Sequence, residues 1–301
     1  MRAAKLAGFK HIELLQEPVA AATAYGLCSK SKDGFWLVFD FGGGTFDAAL
    51  IKSDEGILSV KDTDGDNWLG GKNLDDAIVD QLLIPNLQRK YAIESILENT
   101  SKRQMLRDVL KLIAEQIKIE MSFKEVISYI SQLGELAFED EEGVEPEIEL
   151  ELTEPDLELI IGPIFQKAID ITKDLLKRNN LKGSDLGALI LVGGPTYSPI
   201  LRRMLNEQIT DKIDASDPMT VVARGAALFA STISITEEEK DKQRSNSKIQ
   251  VEANFESTTV ETKELGNFII LKDKIPDVFL IDLLWNQLKF PEFCNKKISK
   301  P

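Results

Sequence analysis

The sequence predicts an α/β fold, and three observations carry that prediction. Residues 35–51 hold two short apolar runs separated by a glycine turn, which indicates two strands of a hairpin. Residues 188–209 begin with an apolar run, pass through two glycines and continue as an amphipathic segment, so they predict a strand, a turn and a helix. Apolar residues recur at helical spacing over residues 75–90 and 101–125. Strands interspersed with helices are typical of α/β domains.

Local signals predict the remaining elements. Thr153 and Asp156, three residues apart, resemble a helix start, and the helix should extend to about Arg178. Residues 135–153 predict a hairpin with an Asp-Glu-Glu-Gly turn, because apolar residues alternate with glutamates before Thr153. The other expected elements are a helix tail and a strand in 1–15, strands in 27–70, a charged linker in 234–248, and strands at Ile249–Phe255 and Leu265–Leu271.

Two further predicted helices are built from small residues. The first follows Glu17-Pro18, and the second runs from Val221 to Ala230. Small side chains let two helices approach closely, as at a hinge between lobes. Tight core packing without motion explains the same pattern equally well.

Composition and charge exclude several classes. The chain has 301 residues and a formal net charge of −14, which argues against a nucleic-acid partner. The single His11 and the distant Cys28 and Cys294 do not match zinc-site spacings, and two lone cysteines suit a reducing compartment. The N-terminus lacks a signal-peptide apolar region, and no apolar run approaches the ~20 residues of a membrane span. Cytoplasm, without a membrane partner, is therefore the expected location.

The glycine turn of residues 41–46 carries the strongest functional signal. Glycines bring bare N–H groups close to a ligand, and such a turn can bind an anion. Asp40 and Asp47 flank the turn. A hard cation could lie between these carboxylates and the bound anion, as in a Mg²⁺-nucleotide site. The alternative is a hairpin without a ligand. The following segment is strand-like, which excludes a Rossmann fingerprint, and Asp66 and Asn73 break the P-loop pattern around Gly71-Lys72.

A second glycine turn follows the strand near residue 192. Gly193-Gly194 would let a flat ligand approach the backbone, with Ser198 as a plausible helix N-cap and Pro199 as the first helical residue. Many α/β turns have this form and bind nothing.

Together, five segments resemble the heat-shock protein 70 chaperones, or DnaK family, within the actin-like ATPases. The segments are Glu-Pro-Val-Ala-Ala-Ala-Thr-Ala-Tyr-Gly at 17–26, Phe-Asp-Phe-Gly-Gly-Gly-Thr-Phe-Asp at 39–47, Leu-Gly-Gly-Lys-Asn-Leu-Asp at 69–75, Ala-Glu-Gln-Ile-Lys at 114–118 and Leu-Val-Gly-Gly-Pro-Thr-Tyr-Ser-Pro at 191–199. Their order and spacing are those of the family, and the resemblance covers roughly residues 1–232. Residues 249–271 are more weakly similar to the start of its substrate-binding β domain.

The resemblance implies the second lobe of an actin-like (ribonuclease H-like) ATPase domain, followed by a short partial β domain. The implied division is a first-lobe remnant with a connecting helix (1–26), the second lobe (27–232, with an insert subdomain at about 71–152), a charged linker (233–248) and a partial substrate-binding-like β segment (249–301).

The resemblance also implies a DnaK-like chaperone that binds ATP or ADP with Mg²⁺. In the full-length family, ATP hydrolysis is coupled to binding of unfolded polypeptide, and co-chaperones take part. Two alternatives stay open: a non-catalytic ATP-binding interaction module, and a cytoskeletal or sugar-kinase relative of the same superfamily.

Roles follow residue by residue from the resemblance. Glu17 would orient waters near the γ-phosphate, Asp40 would hold a Mg²⁺-bound water, and Asp47 would position the attacking water. The implied nucleotide-binding residues are Gly42, Gly43, Gly44, Thr45, Gly70, Gly71, Glu115, Lys118, Ser122, Gly193, Gly194, Thr196 and Tyr197. Glu115, Lys118 and Ser122 share one helix face by their spacing, and the family uses that face for ribose and adenine.

The chain also departs from the family pattern. It begins at Met1 inside what resembles the last helix of the first lobe, so the first-lobe phosphate loop and catalytic lysine are expected to be absent and the chain alone inactive as an ATPase. Ile119 and Tyr197 stand where the family has arginines around adenine, and Tyr197 could stack on the base. The family's leucine-rich linker is replaced by a charged one, and residues 276–301 have no family counterpart.

Overall fold

The computed structural model describes residues 1–9, 12–28, 33–131, 134, 136 and 138–233, together with the backbone of 251–254 and 267–270. The chain divides into two compact units, residues 1–230 and 231–301. The helices are α1 (Arg2–Leu6), α2 (Glu17–Cys28), α3 (Gly71–Ile78), α4 (Ile84–Gln88), α5 (Glu94–Glu98), α6 (Thr100–Met121), α7 (Glu154–Arg178), α8 (Pro199–Gln208) and α9 (Val221–Thr232). The strands are β1 (Gly34–Phe41), β2 (Phe46–Asp54), β3 (Ile57–Asp66), β4 (Val126–Ile130), β5 (Glu149–Thr153), β6 (Leu186–Val192), β7 (Ile213–Asp214), β8 (Val251–Asn254) and β9 (Asn267–Ile270).

A mixed sheet with the order β3-β2-β1-β6-β7 forms the centre of the first unit. β1, β2 and β3 pair antiparallel, whereas β6 is parallel to β1 and β7 is parallel to β6. The predicted α/β fold is therefore confirmed, and so are the two predicted strands on either side of the glycine turn.

The sheet is covered by helices on both faces, which explains its continuous apolar strands. Successive side chains of β1 point to opposite faces. Leu37 and Phe39 lie in a large core with α6, α7 and α8, while Trp36 and Val38 lie in a smaller core with α2 and α9. This sandwich fixes both ends of the glycine turn on rigid strands.

The two small-residue helices pack closely, as predicted. A Cβ added at Gly225 in α9 would lie 1.7 Å from the carbonyl oxygen of Ala20 in α2. Since any side chain at position 225 would overlap that backbone, glycine is required for this approach.

The predicted start of α7 is also confirmed. Thr153 is its N-cap, and its side chain and that of Asp156 form the reciprocal hydrogen bonds of a capping box. α7 ends at Arg178, which forms ion pairs with Asp62 (2.7 Å) and Asp64 (2.5 Å) on β3. The contacts tie the end of α7 to the edge strand of the sheet.

The predicted hairpin over residues 135–153 is wrong in its pairing. β5 pairs with β4, in the register Val126↔Thr153 and Tyr129↔Leu150. The predicted turn forms locally, with the Asp140 N–H donating to the carbonyl of Val144 (2.9 Å), but it lies within the loop between β4 and β5. β4 has only five residues and directly follows a helical pattern, so the sequence analysis did not identify it.

β8 and β9 pair antiparallel and lie within the two predicted strand segments. The predicted linker lies outside the described residues except for residue 233, as do residues 271–301. Within the described part of the chain, no helix combines the length and apolar character that crossing a bilayer requires.

Candidate functional site

The glycine turn presents a row of unpaired N–H groups. The Gly42 N–H donates to the carbonyl of Thr45 (2.9 Å) and closes the turn. The N–H groups of Gly43, Gly44 and Thr45 make no hydrogen bond within the described residues. Consecutive free amides in a turn can bind an anion, and the turn itself joins two strands as predicted.

The N-terminus of α3 orients these amides. The N–H groups of Gly71 and Lys72 donate to the carbonyls of Gly42 (2.9 Å) and Gly43 (2.8 Å). In a trans peptide the C=O and the next N–H point in opposite directions, and no described peptide is cis. Because α3 holds the carbonyls of Gly42 and Gly43, the N–H groups of Gly43 and Gly44 face away from α3.

Gly70 makes this arrangement sterically feasible. A Cβ at Gly70 would lie 2.6 Å from both the Cα and the nitrogen of Gly44. The Gly70 N–H is satisfied by Oδ1 of Asn73 (2.7 Å). Gly70 therefore acts by letting α3 reach the turn rather than by lining the cavity.

The second glycine turn packs against the first. Gly193 has a φ of 94°, and a Cβ there would lie 2.2 Å from the Phe41 carbonyl oxygen. Its N–H donates to the carbonyl of Pro218 (3.0 Å). Thr196 is buried, and its hydroxyl donates to the carbonyl of Gly193 (2.7 Å), so it stabilises the turn. Pro199 begins α8 as predicted, whereas the side chain of Ser198 makes no capping hydrogen bond.

A cavity of about 610 Å³ lies where α3, α6 and the two turns meet. This volume falls within the ~300–1,000 Å³ range of small-molecule sites. Seven of the residues implied by the resemblance line it: Gly43, Gly71, Glu115, Lys118, Ser122, Gly194 and Tyr197. The structure therefore brings together residues from four separate sequence motifs.

Lys118 is held in the cavity wall by an ion pair. Its Nζ lies 2.5 Å from Oδ1 of Asp75, and both side chains are only 14% exposed. Burial raises the pKa of Asp75, while the hydrogen bond from Lys118 opposes that rise. The hydroxyl of Ser122 donates to the Lys118 carbonyl (3.0 Å). Asp75 was not among the predicted site residues, although it is the last residue of the motif at 69–75.

One end of the cavity is apolar and aromatic. Ile119, Phe123, Tyr197 and Met219 line it, and the rings of Phe123 and Tyr197 are 6.0 Å apart between centroids. The Arg202 guanidinium lies 5.6 Å from the Tyr197 ring centroid. Phe123 is 72% exposed, so its ring can contact a ligand. Ile119 and Tyr197 were predicted near the adenine position, whereas Phe123 was not predicted.

The three predicted catalytic carboxylates line a separate acidic cleft of about 450 Å³. Asp40 and Asp47 face each other directly across β1 and β2. Burial, together with the charges of Glu17 and Asp47, raises the pKa of Asp40 to about 6. Like charges directly opposite each other destabilise a strand pair. A cation would relieve this repulsion, and the described residues that line the cleft include no Lys or Arg.

The acidic cleft suits Mg²⁺ only in one mode. No group of three or more His, Cys, Asp or Glu side chains in the described parts of the chain is arranged to hold a metal ion. Mg²⁺ commonly keeps several waters and binds through one or two carboxylates plus substrate phosphates. The donors present fit that mode, with Asp40 as the predicted contact through water.

The implied site residues thus separate into three groups. Seven line the cavity, and Glu17, Asp40 and Asp47 line the acidic cleft. The others build the turns or the start of α3 without lining the cavity: Gly42, Gly44, Thr45, Gly70, Gly193 and Thr196.

Comparison with known proteins agrees with the motifs. A family model described as Hsp70 protein matches residues 1–270. The chain is 32% identical over 232 residues to chaperone protein DnaK of Nitrosopumilus maritimus, covering 77% of this chain and 35% of that protein. It is 33% identical over 232 residues to chaperone protein DnaK of Thermus thermophilus (77% and 36% covered). It is 34% identical over 239 residues to the heat shock cognate HSP70 protein of Trypanosoma brucei brucei (77% and 33% covered).

The chain spans about a third of the length of these curated relatives. The family model, however, covers most of this chain, and the glycine turns and the helix face at residues 115–122 lie within the matched residues. The motif-based resemblance is confirmed: this chain belongs to the Hsp70 family.

Proposed function

We propose that this chain binds an adenine nucleotide, ATP or ADP with Mg²⁺, and that residues 27–232 form the second lobe of a ribonuclease H-like, actin-like ATPase domain in a DnaK-like chaperone. The observation that carries this proposal is the row of unpaired N–H groups at Gly43, Gly44 and Thr45, beside a cavity of suitable volume. In a turn without a ligand these exposed donors would pair with water, so the adjacent cavity is what favours a bound anion.

The nucleotide's orientation follows from the chemistry of the two ends. The free amides of the glycine turn suit phosphate oxygens. Glu115, Lys118 and Ser122 offer acceptors and donors for ribose hydroxyls. Tyr197 and Phe123 offer aromatic surface to a planar base.

The acidic cleft has a role beside the phosphates. Bound Mg²⁺ would neutralise phosphate charge and polarise the terminal phosphoryl group. On the protein side, Asp40 would hold a water of the ion, Asp47 would position the attacking water, and Glu17 would orient further waters. Coupling of hydrolysis to unfolded-polypeptide binding and to co-chaperones, in the cytoplasm, is proposed by extension from the family.

A second candidate, a non-catalytic nucleotide-binding module, is favoured by one observation. No Lys or Arg is among the described residues that line the acidic cleft, and phosphoryl transfer depends on positive charge placed around the γ-phosphate. Steady-state phosphate release with Mg²⁺-ATP separates the two candidates. Turnover that Asp40→Asn abolishes would establish catalysis by this chain, and no turnover above buffer would favour the binding module.

Isothermal titration calorimetry with ADP and with adenosine tests the binding proposal. The cavity is open at its apolar end, because Phe123, Ile119 and Met219 are largely exposed. We therefore expect a Kd in roughly the high-micromolar range, or about −5 kcal/mol. Glu115→Gln should weaken both ligands by about fivefold, since it replaces a charged acceptor with a neutral one.

Glu98→Gln is the matched control, because Glu98 is exposed at the end of α5 and lies outside the cavity. It should leave both affinities unchanged. The binding proposal fails if the purified, folded chain binds neither ligand at millimolar concentration, or if the two variants have equal effects.

A further inference from the structure

Lys72 stands beside the glycine turn and was given no role by the motifs. It is exposed, lies in the first turn of α3 and lines the cavity. Its backbone N–H is held by the Gly43 carbonyl (2.8 Å). The side chain of Lys72 runs past the turn, because a Cβ added at Gly44 would lie 4.0 Å from the Cδ of Lys72. The flexible end of Lys72 is therefore within reach of anything that the turn binds.

The charges of the cavity leave Lys72 as the cation available to a ligand. The charged residues that line it are Lys72, Asp75, Glu115 and Lys118. Lys118 is paired with Asp75 at 2.5 Å. Lys72 forms no ion pair with any residue that the structure describes.

The backbone of α3 cannot take this role. The N–H groups of Gly71 and Lys72 already donate to the turn carbonyls of Gly42 and Gly43, and the N–H of Asn73 donates to the carbonyl of Gly70, which precedes α3. The N-terminus of α3 contributes its partial positive charge, but its first donors are occupied. The charged contact that α3 can offer to an anion on the turn is therefore the ammonium of Lys72.

We propose that Lys72 is a phosphate-binding residue that selects adenosine di- and triphosphates over adenosine. The proposal rests on the proposed function, because it assumes that the nucleotide's phosphates occupy the glycine turn. The ammonium is a flexible point charge with three donors and suits phosphate oxygens in variable positions. In this acidic chain, it also offsets repulsion between the phosphates and the nearby carboxylates.

The test compares ADP with adenosine on the full chain. Calorimetry is carried out on the wild type, Lys72→Gln and Lys72→Glu, with Lys167→Gln as the matched control. Lys167 is exposed on α7 and does not line the cavity. Since Lys72 is exposed, its substitution should leave the fold intact, which circular dichroism will check for each variant.

Lys72→Gln should weaken ADP binding by about fivefold and leave adenosine binding within about twofold, because only ADP presents phosphates to the ammonium. Lys72→Glu should weaken ADP further. The preference of the wild type for ADP should also fall with added salt, and the salt dependence should be smaller in Lys72→Gln.

The outcomes separate the two proposals. If the wild type binds both ligands and Lys72→Gln changes neither, or weakens both equally, the role of Lys72 is refuted and the proposed nucleotide site stands. If the wild type binds neither ligand, the proposed function fails and the role of Lys72 fails with it. If inorganic pyrophosphate alone binds with the same dependence on Lys72, the contact between Lys72 and phosphate is supported independently of the nucleoside.

Discussion

The paired carboxylates of the acidic cleft should lower the free energy of unfolding of the chain. Asp40 faces Asp47 across the two strands, and burial is the main reason that its pKa rises from 3.8 to about 6. That difference corresponds to a penalty of about 3 kcal/mol on the charged form. Since the side chain is only partly buried, solvent screening reduces the expected penalty to about 1–2 kcal/mol.

The sign of the pH dependence follows from proton binding. The folded chain binds the Asp40 proton more tightly than the unfolded chain, so this group makes the fold lose stability as pH rises from about 4 to about 6. Asp40→Asn removes the charge. At pH 8 the variant should therefore be more stable than the wild type by about 1–2 kcal/mol, and this difference should approach zero near pH 4.

Urea unfolding at pH 8 and pH 4 measures this difference. Tryptophan fluorescence follows the unfolding, because Trp36 is buried beneath α2 and becomes exposed when the core of the first unit unfolds. Asp174→Asn is the control, because Asp174 is exposed on α7, far along the chain from the strand pair. If Asp40→Asn is no more stable than the wild type at pH 8, or if the control gains as much, the reasoning about the buried charge of Asp40 is wrong.

Three further predictions concern other parts of the first unit. Tyr197→Ala should weaken ADP and adenosine equally in calorimetry, by on the order of 1 kcal/mol, if the ring stacks on the base; unchanged affinity would remove the stacking role. Gly225→Ala should lower the free energy of unfolding by on the order of 2–3 kcal/mol, because its Cβ would overlap the backbone of Ala20, and an unchanged urea midpoint would contradict the close approach. Arg178 lowers the pKa of Asp62 to about 2, so this pair stabilises the fold above about pH 4 and the contribution is lost as pH falls towards 2. Arg178→Gln should abolish that part of the acid transition, and an acid titration curve identical to that of the wild type would refute the assignment.

Features set by the local chain could be predicted from the sequence. Glu115, Lys118 and Ser122 share a helix face because helix geometry alone fixes the directions of residues at this spacing. The capping box of Thr153 and Asp156 likewise depends on residues three positions apart. In both cases the structure agrees with the pattern.

Features set by packing between distant segments could not be predicted in this way. The Asp75–Lys118 ion pair joins residues 43 positions apart. Phe123 reaches Tyr197 only because α6 and the second glycine turn meet at the cavity. β5 pairs with β4. A hydrogen bond from the Ser131 N–H to the Ile148 carbonyl (2.9 Å) joins the two ends of the loop between these strands. No periodicity in the sequence encodes these contacts.

The glycines show why the motif could predict the turn but not the structural role of each residue. Gly43 and Gly44 carry free amides. Gly70 has a different role, because a Cβ at position 70 would overlap the backbone of Gly44. Without that approach, α3 would not hold the carbonyls of the turn, and the planarity of the trans peptides would no longer direct the amides towards a ligand. The proposed phosphate site therefore depends on a glycine that need not touch the phosphate, and only the packing of α3 against the turn separates the two roles.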